Sequence, residues 1–292
     1  MNLSDNILNN LQNLESKCFL CFCTLDKSNS SKEHVIPKWL FKKFKHDDDG
    51  MKLGNHTNLK YKQLTIPACK NCNNFILSQI EQDFISILDN SFKNLSLAEE
   101  LIIAQWTLKI MLGTILKEMS LEKDIKKVGE KILSFDQVKE LLPLFILLHS
   151  IFYETELKNR KPWSLFITSF ETENYDYHSH SFFKTASFKF GKIGFIITFD
   201  DSSFYQIAAQ NFEFNKLSDM RFIELTYTFF ALRNSETKIL ISKKELIANK
   251  LIISSKKHYH KPKIDYNTEY KNTLYHLLNL HKMRFKKKSK SH

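Results

Sequence analysis

Residues 18–37 read CFLCFCTLDKSNSSKEHVIP, and the rest of the N-terminal region is read outward from them. Cys18 and Cys21 form a C-x2-C pair, and a second pair follows at Cys69 and Cys72. Two residues between thiolates let both sulfurs of a knuckle face one tetrahedral ion at about 2.3 Å. Together the pairs predict a closed structural Zn²⁺ site on Cys18, Cys21, Cys69 and Cys72. Cys23 offers Cys18 a second partner at longer spacing; the shorter knuckle is preferred, which leaves Cys23 a bystander. The competing account is that these are small buried side chains, and two independent pairs argue against it.

Such an ion has a physical task here. The segment between the pairs includes KHDDDGMKLGNHTN and shows little periodicity, so it cannot build a large core by itself. Metal-binding free energy becomes folding free energy in such cases. Glu33 and His34 lie within the clamped segment, three residues ahead of Pro37 in the case of His34. Neighbours on a regular strand point to opposite faces, so a shared role for this pair requires the strand to end or bulge there. Pro37 suits a terminal or edge position.

The order C-x2-C, then EHVIP, then C-x2-C followed at once by Asn73, resembles the HNH endonuclease family in its four-cysteine form. The resemblance spans residues 18 to 81. It implies a ββα-metal finger, treble-clef-like, in which Glu33 and Asn73 hold a catalytic Mg²⁺ or Mn²⁺ and His34 is the general base. A central asparagine orients the base in that family, and Asn58 is the candidate, with Asn55 left open against it. Phosphodiester hydrolysis asks for these residue types in any case: a neutral imidazole to take a proton from water, and hard oxygen donors for a divalent cation. The family often carries a basic residue after the second pair, whereas this chain has Glu81. On a regular helix Glu81 would sit about 12 Å beyond Asn73 and play a supporting or structural part. His46 and His56 read as solvated loop residues.

At 292 residues and 42% hydrophobic content the chain can bury an ordinary core. With 25 Phe against 6 Gly and 5 Pro, packed helices and strands are expected rather than low-complexity sequence. The formal net charge of +11 favours a polyanion, and DNA is the expected partner, with RNA the alternative. Lys38, Lys42 and Lys43 in KWLFKKFK, and Lys286, Lys287 and Lys288 in the basic C-terminal stretch, are the candidate phosphate contacts. No apolar run reaches the roughly 20 residues of a membrane span, and the first residues do not read as a secretory signal. A cytoplasmic protein with reduced thiols is expected, and a protein partner such as an ATPase, or a second copy of the chain, is compatible with the region beyond the finger.

The fold class expected is α+β. A helical arm occupies residues 1–15, the finger 16–90, a helical region 91–160, a β-rich accessory region 161–265, and a helix with a basic tail 266–292. Ser96 followed by Glu99 marks a capping box. A helix kinks or starts anew near Pro143. From Trp163 the period changes to that of strands rich in Phe, Ile and Thr, with Gly191 at a hairpin turn, while DMRFIELTYTFFALR fits helix or strand, and its length favours helix. Two functions follow as expectations: a metal-dependent endonuclease of defence or mobile-element type, or a zinc finger that has lost chemistry and binds nucleic acid or a partner.

Overall fold

A computed structural model describes residues 2–44, 49–124, 126, 129–158, 160–201, 216–235, 243–247 and 250–254. Contacts divide the chain into two units, Met1–Glu156 with Lys244–Ile252, and Leu157–Lys243 with Ile253–His292. The architecture is mixed α+β.

In the first unit, α1 (Leu3–Gln12) is capped by Asn2, whose side chain accepts from the Asp5 amide at 2.8 Å. Its buried stripe of Leu3, Ile7 and Leu11 has the spacing that marks one helical face. Strand β1 (Ser30–His34) then pairs antiparallel with β4 (Thr65–Cys69), in register from Ser30↔Cys69 to His34↔Thr65. Between them lie α2 (Lys38–Lys43), which starts after Pro37, and a hairpin of β2 (Gly50–Lys52) and β3 (Asn58–Lys60). After β4 the chain turns into a π-helical segment, Cys72–Leu77, which continues as α3 (Ser78–Asp89). The β1–β4 pair and the helix after β4 thus lie next to the cysteine pairs in sequence, with α2 and the β2–β3 hairpin inserted between the two strands.

Helix α4 (Leu97–Ser120) opens with the expected capping box of Ser96 and Glu99. Residues Ile103 to Gly113 are all buried, so this helix is surrounded rather than laid on a surface. Trp106 stacks on Phe84 of α3 at 3.8 Å between ring centroids. Two shorter helices follow, α5 (Phe135–Val138) and α6 (Leu142–His149). Pro143 lies in the first turn of α6, where its missing N–H costs nothing, so a new helix starts there. α1 packs against α6, and β5 (Glu154–Lys158) comes next.

The second unit is built on four antiparallel strands, β6 (Trp163–Ser169), β7 (Tyr175–His180), β8 (Thr185–Phe190) and β9 (Ile193–Phe199), in the order β6, β9, β8, β7. Gly191 carries the positive φ of +65° needed in the tight β8–β9 link. Gly194 is required for another reason: a Cβ there would lie 2.3 Å from the Phe188 carbonyl oxygen. Helix α7 (Asp219–Ser235) packs on the sheet, and Phe222, Leu225 and Phe229 join Phe166, Phe170 and Ile196 in one core. The chain then returns to the first unit with β10 (Lys243–Ile247) and β11 (Lys250–Ser254), which form a sheet with β5 in the order β10, β11, β5.

Candidate metal centre and the cleft beside it

The first knuckle is a tight turn. The Cys18 amide donates to the Cys23 carbonyl at 2.9 Å and the Phe22 amide to the Cys18 carbonyl at 3.0 Å, with Phe22 at φ +61°. The Phe19 amide donates to Pro67 O on β4 at 3.1 Å, which fixes this knuckle to the strand that carries Cys69. The second knuckle is the β4-to-helix corner, where the Cys72 amide donates to Cys69 Sγ at 3.3 Å. The sulfurs of Cys18, Cys21, Cys69 and Cys72 all lie within 4.8 Å of one another, and Cys21 and Cys69 are 3.7 Å apart. Sulfurs at 2.3 Å from a tetrahedral zinc are about 3.8 Å apart, so the donor set and its spread fit such an ion. Hydrogen bonding from Cys72 lowers the Cys18 thiol to about 4, while the same contact pushes Cys72 up. Cys23 is not among the four, and burial raises its thiol to about 12.

Beside the cysteines lies a cleft of about 290 Å³ lined by Glu33, Asn73, Asn74, Leu77, Ser78 and Glu81. Glu33 reaches it from β1, and Asn73 reaches it because it follows Cys72. The Asn73 side-chain amide donates to Ser31 Oγ at 2.7 Å and Lys32 O at 3.3 Å, which ties the helix start to β1. The amide oxygen is therefore the Asn73 atom with the chemistry to meet a cation. Glu81 lines the same cleft, on the helix that continues from the π-helical segment Cys72–Leu77.

Lys109 of α4, which the sequence reading passed over, is the strongest electrostatic feature of this region. Its side chain is 1% exposed. The ammonium pairs with Glu33, with Glu81 at 3.0 Å, and donates to the carbonyls of His34 at 2.7 Å and Val35 at 3.4 Å. Burial works against its charge, but Glu33 and Glu81 outweigh burial and hold its pKa above the usual lysine value. Burial pushes the Glu33 carboxyl up, against the downward pull of Lys109. A signal was present: a single charge in the apolar run IIAQWTLKIMLGTIL, where a fully buried lysine has to be paired.

His34 is half-buried, and burial, followed by the charges of Lys38 and Lys109, lowers its pKa so that the ring is neutral at pH 7. β1 ends at His34 without a bulge, while Glu33 lines the cleft. The two neighbours therefore diverge, and His34 is not among the lining residues. Asn58 is exposed on β3, and Asn55 donates to Glu122 O at 2.9 Å while accepting from the Thr57 amide at 3.0 Å; neither lines the cleft. Lys38, Lys42 and Lys43 are exposed on α2, with Lys43 3.8 Å from Asp89. Lys286, Lys287 and Lys288, the segment 266–292 and His46 lie outside the described residues. Among the described residues no helix is long and apolar enough to cross a membrane.

Comparison with family models, with curated proteins and with solved structures finds no match for this chain.

Proposed function

We propose that the segment around the cysteine pairs is an HNH-like nuclease finger acting on nucleic acid, with DNA as the substrate. The observation that carries this reading is the convergence of Glu33 and Asn73 on one cleft immediately beside four clustered sulfurs. In it, the four thiolates hold a structural Zn²⁺ and the oxygens of Glu33 and Asn73 meet Mg²⁺ or Mn²⁺, hard cations suited to such donors. When bound, that cation relieves the negative charge that builds on the phosphate. His34, neutral at pH 7, takes the proton from the attacking water. Its place one residue beyond Glu33, at the end of a strand, requires the ring to turn toward the cleft when substrate binds. Catalytic hydrogen bonds commonly tighten only in the substrate complex. Lys38 and Lys42 on α2, directly after His34, supply phosphate contacts.

A second reading is favoured by the engagement of Glu33 with Lys109 and by the position of His34 outside the cleft. There the finger keeps its structural metal and binds nucleic acid without cutting. Purified protein incubated with plasmid and Mg²⁺ or Mn²⁺ decides between them. His34→Ala is expected to lower cleavage at least about 100-fold, the usual contribution of a positioned base, with zinc content and circular dichroism unchanged. Equal cleavage by both proteins refutes His34 as the base, and no cleavage with either metal while duplex binding persists establishes the binding reading instead.

A further inference from the structure

Lys109 lies outside the cysteine-bounded segment in sequence, yet its ammonium reaches into that segment at Glu33 and at the carbonyl oxygens of His34 and Val35. It also holds Oε1 of Glu81, just beyond the second cysteine pair. Stability alone is a poor reason for such a group, because a buried ion pair replaced by apolar side chains of similar volume is often neutral or more stable. Position explains it better. One oxygen of each carboxylate is committed to the ammonium, and the end of β1 is fixed by the bond to His34 O.

We propose that Lys109 is a positioning residue for the site described above, limiting Glu33 and Glu81 to one available oxygen each and opposing a divalent cation with its own charge. The inference rests on the nuclease reading for its purpose, but not for its test. Single-oxygen coordination suits Mg²⁺ and Mn²⁺, which keep several waters, and disfavours Ca²⁺, which takes carboxylates through both oxygens. α4 therefore tunes which ion the finger accepts and how tightly.

The experiment is a Mn²⁺ titration of the zinc-loaded full-length protein, followed by electron paramagnetic resonance of the free ion. Lys109→Met should bind Mn²⁺ at least tenfold more tightly than the wild type, and Lys123→Met, which alters an exposed lysine, should match the wild type. If the wild type binds no Mn²⁺, binding gained by Lys109→Met supports the proposal equally. Equal affinity, or no binding in either protein, overturns it. Should Lys109→Met fail to fold, ¹⁵N-lysine NMR of the wild type serves: Mg²⁺ must shift the resonance of the buried ammonium, and an unmoved resonance at saturating Mg²⁺ refutes the proposal. Plasmid cleavage is scored separately, so failure of the nuclease reading leaves the metal measurements to be read by themselves.

Discussion

His149 shows how one side chain can set the pH response of the first unit. Its ring lies buried at the end of α6, stacked on Phe22 of the first knuckle at 4.9 Å between centroids. Among the described residues Nε2 has no hydrogen-bond partner, and burial lowers the pKa to about 4. The unfolded chain takes up this proton near pH 6.5, whereas the folded chain resists until about pH 4. Stability from this group is thus complete above the unfolded value and is lost as pH falls through that window. Between pH 7 and pH 5 the loss amounts to about 2 kcal/mol. His149→Phe keeps the stack and removes the proton, so its urea midpoint should fall less than that of the wild type over this range. Parallel shifts in the two proteins would show that His149 does not carry the dependence.

At the scale of elements, the two knuckles and the β1–β4 pair bring together four sulfurs that could hold a metal ion. β1, β2 and β3 are short, and the hairpin between them is largely polar. Structural zinc binds with about 10–16 kcal/mol, comparable to or greater than the whole stability of a typical domain. Cys72→Ser should therefore lose its equivalent of zinc and become open to limited proteolysis within residues 18–77. The β6–β9 sheet contains no cysteine and should keep its far-ultraviolet signal. Zinc analysis together with mapped proteolytic fragments checks both halves; a Cys72→Ser protein with full zinc and wild-type resistance refutes the clamp. Spacing made the four sulfurs legible in advance, since x2 separation is a local property. Glu81 and Lys109 were harder to read. Both depend on a contact far apart in sequence, because Lys109 on α4 meets Glu81 on α3 and Glu33 on β1, 76 residues upstream of it. The orientation of His34 followed from strand alternation, so the divergence from Glu33 was foreseeable once the strand proved regular.

On the scale of the whole molecule, legibility followed periodicity. The change to strands at Trp163 and the capping box at Ser96 were readable because each is a local pattern that tertiary contacts only reinforce, whereas for the helix Asp219–Ser235 the pattern left helix and strand open and length alone favoured helix. Net charge has no such local anchor: +11 constrains affinity for polyanions without saying where contact occurs. The stretch from Lys282 to Lys290 holds Lys282, Arg284, Lys286, Lys287, Lys288 and Lys290, and a cluster of this kind binds phosphates without sequence preference. Each lysine or arginine that neutralises a duplex phosphate adds about 0.9 to the steepness of log K against log salt. Deleting residues 282–292 should therefore weaken duplex binding at low salt and flatten the slope by up to about 5, if all six engage. Zinc content and the melting of the first unit should not change, because the four sulfurs and their supporting strands lie elsewhere in sequence. Fluorescence anisotropy with one labelled duplex across a salt series measures the slope directly. An unchanged slope would move the polyanion contact to α2, and then Lys38→Ala with Lys42→Ala should flatten it by about 2 instead.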